Sequence, residues 1–293
     1  MNKYVPQEIT DEVNVTPIHP LTNLGYLLVT VILVGGLIYA GLGLLASQLV
    51  TRIGPDTEEK IGAAMSSSFT AASDNEDSRV DYLNGILRSL QETTPTLAES
   101  LVQYPPLKVY ILDTPVENAM VTAGSYVFVT EGLLDAAESE NELAFVLAHE
   151  LGHLYNRDPL RALGRSLVWV SLSSILGIGQ VQLPGVVTDA ANLSELNYGR
   201  NQETAADDFA VEAMMARYPH GNHSLDFFKR AQSNAFDFGA FNTVAEWNQT
   251  HPLSGDRITR IEGIFKANSW PLTGEATPLP SNLGCKNFAP CGE

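Results

Sequence analysis

The chain has 293 residues, with 34 acidic against 17 basic side chains and a formal net charge of −17. Such a surface repels a phosphate backbone and gains nothing from an anionic lipid face, so nucleic-acid partners are excluded. With 44% hydrophobic residues, the chain can bury a sizeable core, and its length suits one large domain or one domain plus an anchor.

Residues 1–23 form an acidic N-terminal tail. The next stretch, Leu24–Ala46, carries no charge. As a helix it would span about 34 Å, against a hydrocarbon core of ~30 Å. It is longer than the apolar stretch of a cleaved signal peptide, and its leader is long and acidic. A retained single-pass membrane helix at 24–47 is therefore expected. Basic residues flank it almost evenly, with Lys3 on one side and Arg52 and Lys60 on the other.

Gly54, Pro55 and Asp56 mark a linker, with Thr57 expected to cap the helix that follows. Ser66–Asp77 is polar and reads as a loop or a frayed helix end. Val80, Leu83, Ile86, Leu87 and Leu90 recur at helical spacing, which predicts an amphipathic helix over 78–92. Three short β-branched or alternating runs follow as strands: Leu107–Leu112, Asn118–Val121 and Tyr126–Thr130. The last two form a hairpin-like unit, and Glu131–Ala137 begins a helix. Further helices are predicted over 139–156, 159–177, 187–216, 224–235 and 255–267. Within these, Leu167–Ile178 is too short and too serine-rich to span a bilayer and reads as a buried helix. Strands first and helices after make an α+β arrangement. Residues 268–293 read as an irregular tail. Its Cys285 and Cys291 either close a small disulfide clasp or remain two free thiols. The clasp would place the main domain in an oxidising, extracytoplasmic compartment.

The chemistry concentrates in the segment LAFVLAHELGHLYNRD. On a helix, His149 and His153 lie one turn apart on one face and can share a metal, with Glu150 beside them. Leu143, Val146, Leu147, Leu151 and Leu154 supply the buried stripe. Gly152 interrupts this helix at a cost of ~1 kcal/mol, which something packed closely against it would explain. Two imidazoles and one carboxylate suit zinc, leaving a fourth position for water. The third ligand is sought in GRNQETAADD, where Glu203 and Asp207 also stack one turn apart. Glu203 can bind the metal while Asp207 receives the outward N–H of a ligand histidine. A solvated helix charge is the alternative for Glu203, but Ala205, Ala206, Phe209 and Ala210 make its surroundings apolar. His220 and His223 sit in a Pro/Gly turn and read as solvated loop residues.

Four linked segments, HELGH at 149–153, RNQETAAD at 200–207, HPLSGDRI at 251–258 and NAMVTAGSYVFVTEGLL at 118–134, resemble the family of membrane-associated zinc metallopeptidases. That family includes HtpX, the CAAX prenyl endopeptidase, the Oma-type mitochondrial protease and BepA (metallopeptidase family forty-eight). The resemblance implies a gluzincin domain, here at 53–267, mainly helical with a small β-sheet. It implies one Zn²⁺ per chain on His149, His153 and Glu203, Glu150 as general base, and Asp207 behind His149. It also implies His251 as a donor to the oxyanion (a loop histidine beside Pro252 being the alternative), Arg257 as a substrate-positioning arginine, and Asn118 and Ala119 as a substrate-aligning edge. The expected activity is endoproteolysis of polypeptides in protein quality control. A zinc-stabilised binding or chaperone-like module is the other reading. With one span, where HtpX and the prenyl endopeptidase have several, the chain is not expected to process prenylated substrates.

Overall fold

The computed structural model describes residues 19–71, 78–94, 106–165, 198–234, 247, 251, 255–281 and 283. The chain divides into two units, Met1–Leu44 and Leu45–Glu293. The first is dominated by helix α1, which runs from Pro20 to Val50 and contains the expected span. Its large apolar side chains face outward, as at Ile32 (70% exposed) and Leu37 (73%). The stretch Pro20–Ile38 is long and apolar enough to cross a membrane.

In the second unit, α2 (Pro55–Thr70) departs from expectation at both ends. Gly54 is its N-cap and Pro55 its first residue, so Thr57 lies inside the first turn. Proline suits that position because its missing N–H would have no partner there and its φ is already helical. At the other end, Ser66 is helical and buried because its hydroxyl meets Thr122 Oγ1 at 2.7 Å. Helix α3 (Ser78–Thr93) buries Leu83, Ile86, Leu87 and Leu90 as its periodicity predicts.

The sheet has three strands, β1 (Lys108–Leu112), β2 (Ala119–Thr122) and β3 (Tyr126–Thr130), in the order β1-β3-β2. β1 runs parallel to β3, pairing Lys108 with Tyr126, and β2 runs antiparallel to it, pairing Ala119 with Val129. The central strand β3 is buried along its whole length. The β2–β3 connection is the short helical turn Ala123–Ser125, where Gly124 has φ 73°. Among the described residues β1 and β2 are thus the two edge strands of the sheet, each with one side unpaired.

Thr130 caps helix α4 (Glu131–Ala136), and Ser139 caps α5 (Glu140–Tyr155), its hydroxyl accepting from Glu142 N. Every residue of α5 from Glu140 to Leu154 is buried. The sequence stripe marks one face of a helix that is enclosed on all sides. A further helical segment covers 158–165. Helix α6 (Arg200–Arg217) begins at Gly199, whose N–H donates to Gln202 Oε1 at 3.0 Å. The helix expected over 187–216 thus does not run through 198–199, because Gly199 adopts an extended capping conformation; residues 187–197 lie outside the described residues. Helices α7 (Asp226–Asn234) and α8 (Gly255–Ala267) follow. The apolar run Leu167–Ile178 and both cysteines lie outside the described residues.

The segment after α8 is irregular, as expected, yet tied down. Thr277 O accepts from Glu140 N at 2.9 Å, and Thr277 N donates to Asn141 Oδ1 at 2.8 Å.

α5 and α6 touch backbone to backbone. A Cβ on Gly152 would lie 2.8 Å from Ala206 Cα and 3.1 Å from Ala206 O. This contact accounts for glycine in mid-helix. Gly152→Ala should lower stability by about 1–3 kcal/mol, the usual range for overpacking. Gly263→Ala, on the exposed side of α8 with nothing within 4 Å, should be neutral or raise stability by up to ~1 kcal/mol. Denaturant melts of the two variants test this, and equal midpoints would contradict the close-contact explanation.

Candidate metal centre

The α5–α6 crossing decides what faces what. α5 offers His149, one turn before Gly152, and His153, the residue after it; α6 offers Glu203 and Asp207 in the same relation to Ala206. All four are at most 3% exposed. His149 Nε2 and His153 Nε2 are 3.1 Å apart. Glu203 Oε2 is 3.6 Å from the first and Glu203 Oε1 3.5 Å from the second. Tetrahedral zinc with bonds of ~2.0–2.1 Å requires donors about 3.3 Å apart, so this triangle has the right size.

Hydrogen bonding behind the ligand atoms gives an independent test of fit. His149 Nδ1 lies 3.2 Å from Asp207 Oδ1, and His153 Nδ1 lies 3.0 Å from Asp158 Oδ2. A carboxylate thus faces each Nδ1, hydrogen-bonded at His153 and in close contact at His149, which favours the tautomer that leaves Nε2 as a lone pair. Two lone pairs and a carboxylate converging in a dry interior repel one another unless a cation lies between them. Without a metal, a proton takes that place. Burial opposes charge on His153, but hydrogen bonds to Asp158 and Glu203, with the nearby carboxylate charges, push its pKa up to about 9. Burial would likewise raise Glu203, yet the adjoining imidazoles of His251, His149 and His153 hold it well below the ordinary carboxylate range. The donor set fits a divalent metal.

Glu150 projects beside the triangle and is fully buried. Burial, reinforced by the charge of Glu203 and offset by the two histidines, pushes its pKa up to about 7. Its carboxylate faces the backbone N–H of Val121 on β2, and neither oxygen completes a hydrogen bond among the described residues.

His251 joins the group more intimately than an oxyanion donor would. Its Nδ1 lies 3.3 Å from His149 Nε2 and 3.1 Å from Glu203 Oε1, and its Nε2 lies 3.4 Å from Glu150 Oε1. Donor atoms of His149, His153, Glu203 and His251 all fall within 4.8 Å of one another. The ring of Trp247 stacks on His251 at 4.1 Å. Burial pushes the His251 pKa down to about 3 despite Glu203, so the ring is neutral at pH 7.

Arg257 sits behind the ligands. Its guanidinium contacts Glu203 Oε2 at 2.6 Å and grips Asp207 through Nε and Nη2 at 3.0 and 2.7 Å. Asn118 and Ala119 are buried at the start of edge strand β2. His223 pairs with Asp226 at 2.7 Å, away from the cluster.

Two residues escape a sequence reading. Asp158 supports His153 as Asp207 supports His149, and its other oxygen accepts from Gln202 Nε2 at 2.6 Å. A carboxylate five residues past the second histidine was the available signal. Tyr198 stacks its ring on His153 at 4.0 Å, and nothing in the linear spacing marks it.

Asp207 yields a pH prediction. Burial would raise its pKa, but His149 and the charge of Arg257 hold it at about 2, against an ordinary 3.8. A depressed carboxylate contributes stability that is present above its unfolded pKa and lost as pH falls through the folded value. The difference corresponds to about 2 kcal/mol, lost between roughly pH 4 and pH 2. Metal-free Asp207→Asn should lack that part of the acid loss in denaturant melts. The same variant should bind zinc about 10–100-fold more weakly. Superimposable acid profiles for the two proteins would contradict the assignment.

Comparison with known proteins agrees with this geometry. The profile of Peptidase family M48 matches residues 87–265. A Vibrio cholerae protease named for enhancing beta-barrel assembly is 31% identical over 181 residues, which cover 57% of this chain and 36% of the relative. A protease HtpX homolog of Dictyoglomus turgidum is 31% identical over 196 residues, 54% of this chain and 63% of the relative. The mitochondrial metalloendopeptidase OMA1 of Schizosaccharomyces pombe is 29% identical over 161 residues, 53% and 45% respectively. The chain thus spans less than two thirds of each of these relatives. The family profile takes in the whole α5–α6 crossing and its donor set, and the chain belongs to Peptidase family M48.

Proposed function

We propose that the chain is a membrane-anchored zinc endopeptidase. The observation that carries this reading is the convergence of His149 Nε2, His153 Nε2 and Glu203 within 3.1–3.6 Å, with Glu150 buried beside them. Zinc held by these three ligands would activate a water and polarise the scissile carbonyl. Glu150, with a pKa of about 7 in the metal-free site, can take a proton at neutral pH and pass it to the departing amine. Asp207 and Asp158 hold the two imidazoles in the tautomer that ligates. Arg257 fixes the Glu203 and Asp207 carboxylates in place. An extended polypeptide would add to the unpaired edge of β2 at Asn118–Thr122, which brings its backbone past Glu150. Through α1 the enzyme would be single-pass, its 53–267 domain extracytoplasmic, with membrane-proximal or unfolded polypeptides as substrates in quality control.

A second reading has one observation in its favour. With His251 Nδ1 among the donors, four protein ligands could close the site, which is the arrangement of structural zinc. A zinc-stabilised binding module would then result.

Two variants separate the readings. Glu150→Gln should retain zinc and lose at least about 100-fold in cleavage of an unfolded casein-type substrate. His251→Ala should keep at least part of its zinc and change the cleavage rate. Zinc in all proteins and cleavage by none would favour the binding module. Absence of zinc from freshly purified wild type would overturn both.

A further inference from the structure

Arg157 ends α5 with a φ of 55°. It follows the C-cap Asn156, at the position where glycine is usual because the left-handed conformation crowds a Cβ. Its N–H donates to Leu154 O at 2.9 Å, and its carbonyl accepts from Arg161 N at 3.1 Å. One residue therefore closes the helix that carries both histidines and opens the segment 158–165.

The side chain explains why an arginine sits there. Nη1 donates to Val50 O at 2.9 Å, and Nη2 donates to Ile53 O at 2.7 Å and to the Glu58 carboxylate. Val50 O is a terminal carbonyl of α1, which has no partner within its helix. Ile53 lies in the connection to α2, and Glu58, in the first turn of α2, is 2% exposed. One planar fork gathers the end of the apolar helix, the connection and the start of α2. These contacts all lie within the second unit. The next residue in the chain is Asp158, whose carboxylate meets His153 Nδ1 at 3.0 Å.

We propose that Arg157 is a positioning residue of the metal centre: by clamping the connection at Val50–Glu58 to the end of α5, it places Asp158 under His153, so that metal affinity depends on how the chain leaves its membrane helix. This rests on the reading of His149, His153 and Glu203 as metal ligands. A simple helix cap would make the opposite demand, since glycine would fill the left-handed position with less strain.

The test uses the full chain in detergent. Zinc affinity is measured by competition with a chromophoric chelator, and the ligand field by the visible absorption of the Co²⁺-substituted protein. Arg157→Gly eases the backbone and removes the fork; it should raise the zinc Kd by about 10-fold or more and alter the Co²⁺ bands. Glu58→Ala, remote from the ligands in sequence, should act in the same direction by at least about twofold, and the double variant should be no weaker than Arg157→Gly alone. An unchanged Kd and Co²⁺ spectrum in Arg157→Gly would overturn the proposal, as would strictly additive effects. If Arg157→Gly does not fold, Glu58→Ala decides: a raised Kd supports the clamp and an unchanged one overturns it. Failure of the wild type itself to bind zinc would overturn the ligand assignment, and this inference with it.

Discussion

Everything at the centre depends on how closely α5 and α6 approach. Two helices normally lie 8–10 Å apart, with side chains filling the gap. Here Gly152 meets the backbone of Ala206, so the side chains three residues before and one residue after the contact on both helices can reach a common point. A wider crossing would leave the histidines and the carboxylate in separate half-sites. The residue types follow from this: small at the contact, imidazole or carboxylate three residues before and one after it, and apolar beyond.

That arrangement imposes an electrostatic burden. Glu203, Asp207, Asp158 and Glu150 are all at most 3% exposed, and isolated buried carboxylates are strongly destabilising. Three of them are compensated directly. Asp207 has Arg257 and Arg260, Glu203 has Arg257 and the imidazoles, and Asp158 has His153, Gln202 and Arg161. Glu150 has no cationic partner or completed hydrogen bond among the described residues, only the neutral His251 ring at 3.4 Å, and burial pushes its pKa up. The contrast divides the roles physically. The three carboxylates held charged are surrounded by donors, and Glu150, the proposed general base, is left nearly bare.

Much of this was legible in the linear chain because it lies in local periodicity. His149 and His153 on one turn, Glu203 and Asp207 on another, and the leucine stripe of α3 all follow from 3.6-residue spacing. The start of α2 was misjudged because Thr57 looked like a cap while Pro55 held the stronger preference for the first turn. Ser66 looked like loop composition, and only a partner 56 residues away, Thr122, makes it helical. Arg257 was expected on the substrate, and its guanidinium lies on the Glu203 and Asp207 carboxylates; charge complementarity across 50 residues has no local signature. The parallel pairing of β1 with β3 is likewise a non-local fact, which short strands and turn residues cannot disclose.

The attachment of Thr277 has a consequence for the order of events during synthesis. The N-terminus of α5 is completed by a carbonyl and an N–H located 136 residues further along the chain from Asn141. While the ribosome is still making α6, α7 and α8, the helix carrying both histidines has Ser139 as its only described cap and lacks this strap. Contacts at such separation close late, after the entropy of the long intervening loop has been overcome. A nascent chain would thus carry its candidate ligand residues well before they are fully seated, and the centre would mature only after Thr277 has been made. The newborn polypeptide's own unfolded segments would then have had time to become structured first.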